Sequence, residues 1–336
     1  MQPTGRDLYI ERLLSQVSIG YMNAITSYIA DRVFPVVPVD VQSGKYAKYR
    51  KSDWFRDEAQ IRAPLTESVG GGFELETPGT YFCDEWSYHK DIADEDMANK
   101  DEIFELEDDA TEFVVDKLRM RRERLWSSTY FKTGVWGKDL SGQTDTPGTD
   151  EFKCWDVSGS TPIEDIADAA TIVKMKTGIN PNTLVVSERV HKALKNHSDI
   201  LDRYKYTQAG IITSELIAKV LEIDRYMIAE AVYDSIQEGG TSSLSYILDQ
   251  YGAMLVYSAP RPSRRRPSGG YTLRWKRPVI GGREGERLES TIRRFRLDRE
   301  GGIRIEGSIY EDVKLVAADV GVFFKDAIAA GRTIES

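Results

Sequence analysis

The stretch KYAKYRKSDWFRDEAQIRAP at residues 45–64 constrains this chain most, because it fits neither regular template. An amphipathic helix needs apolar residues at i, i+3 and i+4, and a half-buried strand needs alternation. Tyr46, Tyr49, Trp54 and Phe55 obey neither rule, and charged side chains, Arg56 among them, fill the gaps. The flanks are as irregular, from FPVVPVD with Pro35 and Pro38 to ESVGGGFEL with Gly70, Gly71 and Gly72. Disordered linkers are poor in aromatic residues, so this composition does not suit one. The segment reads as a long excursion that cannot pack on itself.

The rest of the chain is patterned. In residues 1–40 a short helix is expected around Asn23–Arg32, and the two prolines then force an extended path. Within 41–100 the strongest strand signal is Glu76–Ile92. Residues 105–131 read as one long helix, with Leu106, Ala110, Val114, Leu118 and Leu125 on one face. Its first turns are acidic, and Arg119, Arg121, Arg122 and Arg124 are assigned to its basic end, both biases suiting the helix dipole. A compact α/β pattern follows. Thr161-Pro162-Ile163-Glu164 reads as a capping box, Ile163, Ile166, Ala167, Ala170 and Val173 as a buried stripe, and Gly178 as a stop. Asn182–Ser187 is a short buried strand, a second helix runs through Val190, Ala193 and Leu194, and Ser242–Pro260 holds two more strands. Ile303–Phe324 is β-rich.

Several chemistries are excluded by what is missing. His89, His191 and His197 lack metal-ligand spacing, and Cys83 and Cys154 stand apart as isolated thiols. Asp91, Asp94 and Asp96 lack the glycine and terminal glutamate of a calcium loop. No nucleophile elbow or phosphate-binding glycine motif occurs. No apolar run is long enough for a membrane helix, and the first residues lack the apolar core of a signal peptide. The net charge of -9 argues against a surface built wholly to grip nucleic acid. Arg264-Arg265-Arg266 is the one basic run, held in a loop without aromatic neighbours. Charge is unevenly placed: residues 84–109 carry twelve acidic residues against two lysines, and 261–299 carry thirteen basic against four acidic.

The order of parts resembles that of the tailed-bacteriophage major capsid proteins: extended arm, unpackable excursion, long helix, compact α/β block, returning β segment. FPVVPVD followed by KYRKSDWFRDEAQIRAP is similar to capsid sequences of that family. So are YFCDEWSYHKDIADED, FKTGVWG, NPNTLVVSERVHKALKNHSDILDRYKYTQAG and VAADVGVFF. The resemblance implies an α+β chain with the Hong Kong ninety-seven phage capsid fold. Its parts would be an N-terminal arm (1–40), an extended E-loop hairpin (41–100), a P-domain with its spine helix (101–160), an A-domain (161–286) and a returning P-domain segment (287–336). It implies self-assembly into hexamers and pentamers of an icosahedral head around double-stranded DNA. Portal, scaffolding and decoration proteins would be partners, with no membrane, no cofactor and no catalysis. Assembly would take place in the host cytoplasm before the protein resides in the virion. The same fold serves encapsulin nanocompartments, the alternative reading, and a hydrolase using the acidic cluster 91–96 is a third.

On this resemblance the E-loop aromatics Tyr46, Tyr49, Trp54 and Phe55, with Arg56, are expected on a neighbouring subunit. Asp91, Asp94, Glu95 and Asp96 are expected to pair between subunits with Arg293, Arg294 and Arg296. Some family members join an E-loop lysine to a P-domain asparagine. Lys45, Lys48 and Lys51 are present, but no asparagine occurs between Asn196 and Ser336, so non-covalent stabilisation is expected.

Overall fold

A computed structural model describes residues 22–99, 105–204, 213–236, 240–261, 267–278, 287–288 and 290–329. Residues 1–21 of the arm and the Arg264–Arg266 run lie outside these. The first part of the chain supplies α1 (Ala30–Val33), β1 (Val36–Val39), β2 (Ser43–Tyr46), α2 (Lys51–Phe55), β3 (Gly79–Phe82), β4 (Asp84–Ala93), α3 (Asp94–Asn99) and α4 (Leu106–Tyr130). The middle adds β5 (Lys138–Gln143), β6 (Glu151–Lys153), α5 (Pro162–Thr177), β7 (Thr183–Ser187), α6 (Glu188–Lys195), α7 (Ser198–Tyr204) and α8 (Ser214–Val220). The remainder gives β8 (Arg225–Ala229), β9 (Val232–Asp234), β10 (Leu244–Tyr246), β11 (Ala253–Val256), β12 (Gly270–Trp275), β13 (Arg277–Pro278), β14 (Arg287–Leu288), β15 (Ser290–Leu297), β16 (Gly302–Leu315) and β17 (Gly321–Lys325).

Two sheets organise the chain. The first is six-stranded, ordered β6-β5-β17-β11-β7-β8. Its central strands are buried on both faces, which is why they read as short apolar runs without alternation. Leu184 and Val186, Ala253 and Leu255, and Val322 and Phe324 face the core under α5 to α8. Val185, Met254, Val256 and Phe323 face a second core with Phe34, Trp126 and Trp136. Gly178 ends α5 in the left-handed conformation at φ 69, as its sequence position predicts. The capping box does not form: Thr161 stands at the N-cap, but its side chain accepts no backbone N–H. Within the expected α5 stripe, Ala167 is exposed and Ala169 takes the buried place.

The second sheet is built on β16, which pairs with β4 over ten residues and with β15, then with β12, which carries β1. Helix α4 packs on one face of it, with Ala110 over Ile303, Ile305 and Ile92 and Val114 against Gly307. At 25 residues it spans about 38 Å. Its arginines do not form a basic end. They sit in the middle turns and reach across: Arg121 lies over the Trp86 ring and Arg124 over Tyr233. The helix's lower buried face is largely polar, with Arg122, Glu123, Ser127 and Tyr130 beside Trp126, where Leu125 had been expected to lead.

Sheet membership divides the chain otherwise than the expected boundaries. Strand β4 falls in the span assigned to the E-loop but is a full member of the β16 sheet. Strands β5 and β6, placed with the spine helix by sequence, join β17 in the six-stranded sheet. Strand β12, placed in the α/β block, pairs with β16. The excursion itself is thus residues 43–82, closed at its root by β2 and β3. In the arm, the expected single helix is a three-residue turn at Ile25–Ser27 followed by α1.

Candidate assembly surfaces

The root of the excursion is held by a reciprocal pair. Tyr46 stands opposite Gly79, and Tyr81 opposite Gly44. Each ring lies over the facing glycine, where a Cβ would run into it. This cross-strand covering shields bare glycine backbone and fixes the register of a four-residue ladder. Tyr46 is therefore engaged on its own hairpin.

Beyond the root, Tyr49, Trp54 and Phe73 form a mutual cluster, with centroids 5.5–5.9 Å apart. The excursion does pack on itself to that extent, which the sequence did not show. The cluster still leaves Trp54 61% exposed and Phe73 61% exposed. Arg56 pairs with Asp53 and Glu58 in the same loop. Ile61, Leu65 and Val69 are also exposed. So much exposed apolar surface on one projecting segment marks an interaction site.

The acidic and basic strips meet within the chain. Arg296 holds Asp94 with two bonds of 2.7 and 2.6 Å, and Arg294 reaches Glu107 at 2.7 Å. Asp91 takes a two-bonded contact from Arg304, which keeps its carboxyl below the usual range. These pairs form inside one chain because β15, β16 and β4 are neighbouring strands and bring the strips together. Arg293 stands opposite Glu306 in the ladder, and Glu95 and Asp96 lie in α3. Among the described residues no cluster of acidic, histidine or cysteine side chains could hold a metal ion.

The arm segment at Asn23–Phe34 is fastened to α4 by buried polar groups that sequence reasoning missed. Tyr28 donates its hydroxyl to Asp116 at 2.6 Å. Glu123, 1% exposed, accepts the backbone N–H groups of Ile29 and Ala30. Burial pushes its carboxyl up to about 7, against the lowering effect of those N–H donors. Arg122 binds Asp31 on α1 and Glu311 on β16, the latter at 2.7 Å. Asn23 clamps Val232 by accepting its N–H and donating to its carbonyl.

One constellation has the composition of a hydrolytic triad. Ser160 Oγ lies 3.0 Å from His197 Nε2, and Asp199 is close to Nδ1. The donors run the wrong way. The Asp199 backbone N–H donates to Nδ1, which places the ring proton on Nε2 facing the serine. Ser160 in turn donates to the Val157 carbonyl and is buried. The histidine cannot take the serine's proton, so this trio orders the Val157–Ser160 turn. The neighbouring cavity, about 510 Å³, is lined by Trp155, Arg189, Lys192 and Tyr251. His191 bonds the Tyr226 hydroxyl at 3.0 Å.

No family model matches the chain. In overall structure it is similar to a phage-related protein of Bordetella bronchiseptica, with TM-score 0.65 and 19% identity over 95% of this chain and 97% of that one. The capsid of cyanophage P-SCSP1u gives TM-score 0.59 at 11% identity, over 95% and 93%. The SrpI encapsulin of Synechococcus elongatus gives 0.54 at 12%, over 95% of each. The chain has the Hong Kong ninety-seven phage capsid fold. In sequence it is similar to two curated major capsid proteins. That of Burkholderia phage BcepMu is 27% identical over 89% of this chain and 96% of the relative. That of Pseudomonas phage JBD67 is 25% identical over 96% and 98%.

Proposed function

We propose that this chain is the major capsid protein of a tailed phage, building an icosahedral head from copies of itself. The observation that carries this is the end-to-end sequence likeness to phage major capsid proteins, which covers 96% of the BcepMu relative. Fold alone does not separate phage heads from encapsulins, since both are structural neighbours. The projecting segment with exposed Trp54 and Phe73 supports a subunit whose surface is completed by another copy. The proposal extends to hexamers and pentamers, to portal, scaffolding and decoration proteins as partners, to double-stranded DNA loosely held on the inner face, and to assembly in the host cytoplasm. No catalytic role is assigned.

In this reading, residues 43–82 are the E-loop, the β16 sheet with α4 is the P-domain, and the six-stranded sheet with α5 to α8 is the A-domain. Tyr49, Trp54 and Phe55 remain candidate inter-subunit contacts. Electron microscopy of the expressed protein tests the reading. Closed uniform shells are expected. Monomers at all concentrations would overturn it, and shells that enclose a co-purifying enzyme in place of DNA in the native source would favour the encapsulin alternative.

A further inference from the structure

Helix α2 is only five residues long and carries no buried residue, yet it is tied to the body at two points. Lys51 Nζ lies 2.7 Å from Asp319 Oδ2, across 268 residues of sequence. The Phe55 ring rests on Gly178, the residue that ends α5. Lys51 and Phe55 are four apart, so both project from one face of the helix. The receiving corner is firm. Asp319 lies in the Ala318–Val320 turn, which abuts Gly137, and Lys176 of α5 donates to the Gly137 carbonyl at 2.6 Å.

Trp54, one residue earlier, carries the aromatic cluster with Tyr49 and Phe73. The two branches of the excursion are zipped beside it. Arg50 N–H donates to the Glu74 carbonyl, Glu76 N–H to the Lys48 carbonyl, and Glu74 N–H to Asp53 of α2. Helix α2 therefore joins the aromatic cluster on one side to the six-stranded domain on the other.

We propose that α2 is a two-point clip, Lys51 on Asp319 and Phe55 on Gly178, that fixes the direction in which the excursion leaves the body and aims Tyr49, Trp54 and Phe73 at a second copy of this chain. The partner's identity rests on the shell reading above; the clip itself does not. The clip leaves the cluster and Ile61, Leu65 and Val69 exposed, so it presents them and does not cover them. Both charges of the ion pair are 49% exposed, so the clip opens and closes readily. Lys51 and Phe55 are positioning residues here. They are dispensable for the fold because α2 buries nothing.

The test uses full-length protein at a concentration too low for assembly, comparing Lys51→Glu, Asp319→Lys and the double swap. Hydrogen exchange is followed in peptides covering residues 48–56 and 73–77, and light scattering then follows shell growth after concentration. Each single variant should exchange about fivefold faster in those peptides, the scale of one exposed pair, and assemble more slowly, while the double swap restores both. Phe55→Ala should reproduce the single-variant pattern through the other contact. Unchanged exchange in the single variants, or a double swap no better than they are, overturns the clip. Faster assembly of the single variants overturns the aiming role, since the contact would then restrain the loop. If the wild-type protein forms no shells, the shell reading fails, and the exchange comparison still decides the clip.

Discussion

The carboxylate of Glu123 accepts the backbone N–H of Ala30 at 2.9 Å, so a side chain from the middle of α4 caps α1. An acceptor at a helix N-terminus satisfies donors that the helix cannot satisfy itself. Its carboxyl is raised from 4.5 to about 7 by burial, with Asp31 adding to the rise and Arg122 opposing it. A carboxyl that is raised on folding favours the native state most when protonated. Stability from this group therefore falls as pH rises from 4.5 and levels off above about 7. The full effect is on the order of 3 kcal/mol. Glu123→Gln keeps an acceptor but cannot ionise. Its melting temperature should overtake that of the wild type between pH 5 and 8. Parallel curves for the two proteins would disprove the assignment.

The Arg122 guanidinium bridges Asp31 and Glu311 at a place where Glu311 is almost wholly buried. Removing one member of a buried charge network strips a partner from the others, at a cost of about 3–5 kcal/mol where nothing replaces it; Arg274, 3.3 Å from Glu311, keeps part of the pairing. Arg122→Ala should lower the unfolding free energy measured in urea by about 3 kcal/mol, the low end of that range. Arg122→Met with Glu311→Gln should recover much of it. An equal loss in both would mean that packing around the guanidinium, not its charge, is what matters.

Tyr46 and Tyr81 cover Gly79 and Gly44 at the root of the excursion. Replacing either tyrosine with alanine uncovers one glycine and costs about 0.2–1 kcal/mol locally. The six-stranded sheet takes no part in that ladder, so the global melting temperature should hardly move. Protease cleavage between residues 47 and 78 should accelerate. If cleavage instead first appeared within 183–230, the separation between excursion and core would be wrong.

The long helix and the central strands were legible in the sequence because each carries its pattern locally. Helix α4 shows Leu106, Ala110, Val114 and Leu118 at helical spacing over its first half, and strand β7 a short apolar run bounded by polar residues. Strand β4 was less so. Its residues alternate, with Trp86, Tyr88 and Ile92 on the α4 side, but its partner begins two hundred residues later, and composition placed it with the excursion. The same distance hid the pairing of Asp94 with Arg296, which looked like two strips in need of outside partners. Glu123 was hidden for another reason. A charged residue on a helix reads as solvent-facing, and only the arm's backbone, folded over it, makes it a cap.

Reversing Arg294 and Arg296 to Glu breaks contacts inside the subunit. Both pairs are largely exposed, so water screens them and each loss costs little. The free subunit should stay folded with a small drop in melting temperature that shrinks at 1 M salt, where screening is strong. A large, salt-independent drop would show that these arginines contribute packing.

No asparagine follows Asn196, and Lys51, one of the three candidate lysines, is engaged with Asp319. A denaturing gel of assembled shells should show one band near 38.0 kDa. A ladder of linked subunits would refute non-covalent stabilisation.

The place of β17 in the six-stranded sheet also sets a timetable. It lies between β5 and β11, so residues 321–325 join strands made near residues 140 and 255. During synthesis the earlier strands leave the ribosome with a gap where β17 belongs, and Phe323 and Phe324 are missing from both cores. Non-local pairing of this kind is slow to form. A nascent chain stalled short of residue 321 should remain protease-sensitive throughout the α/β block, and release of β17 should confer resistance. Until that strand arrives, the body that carries the excursion is unfinished, so on the shell reading the order of translation itself would keep half-made copies out of the growing shell.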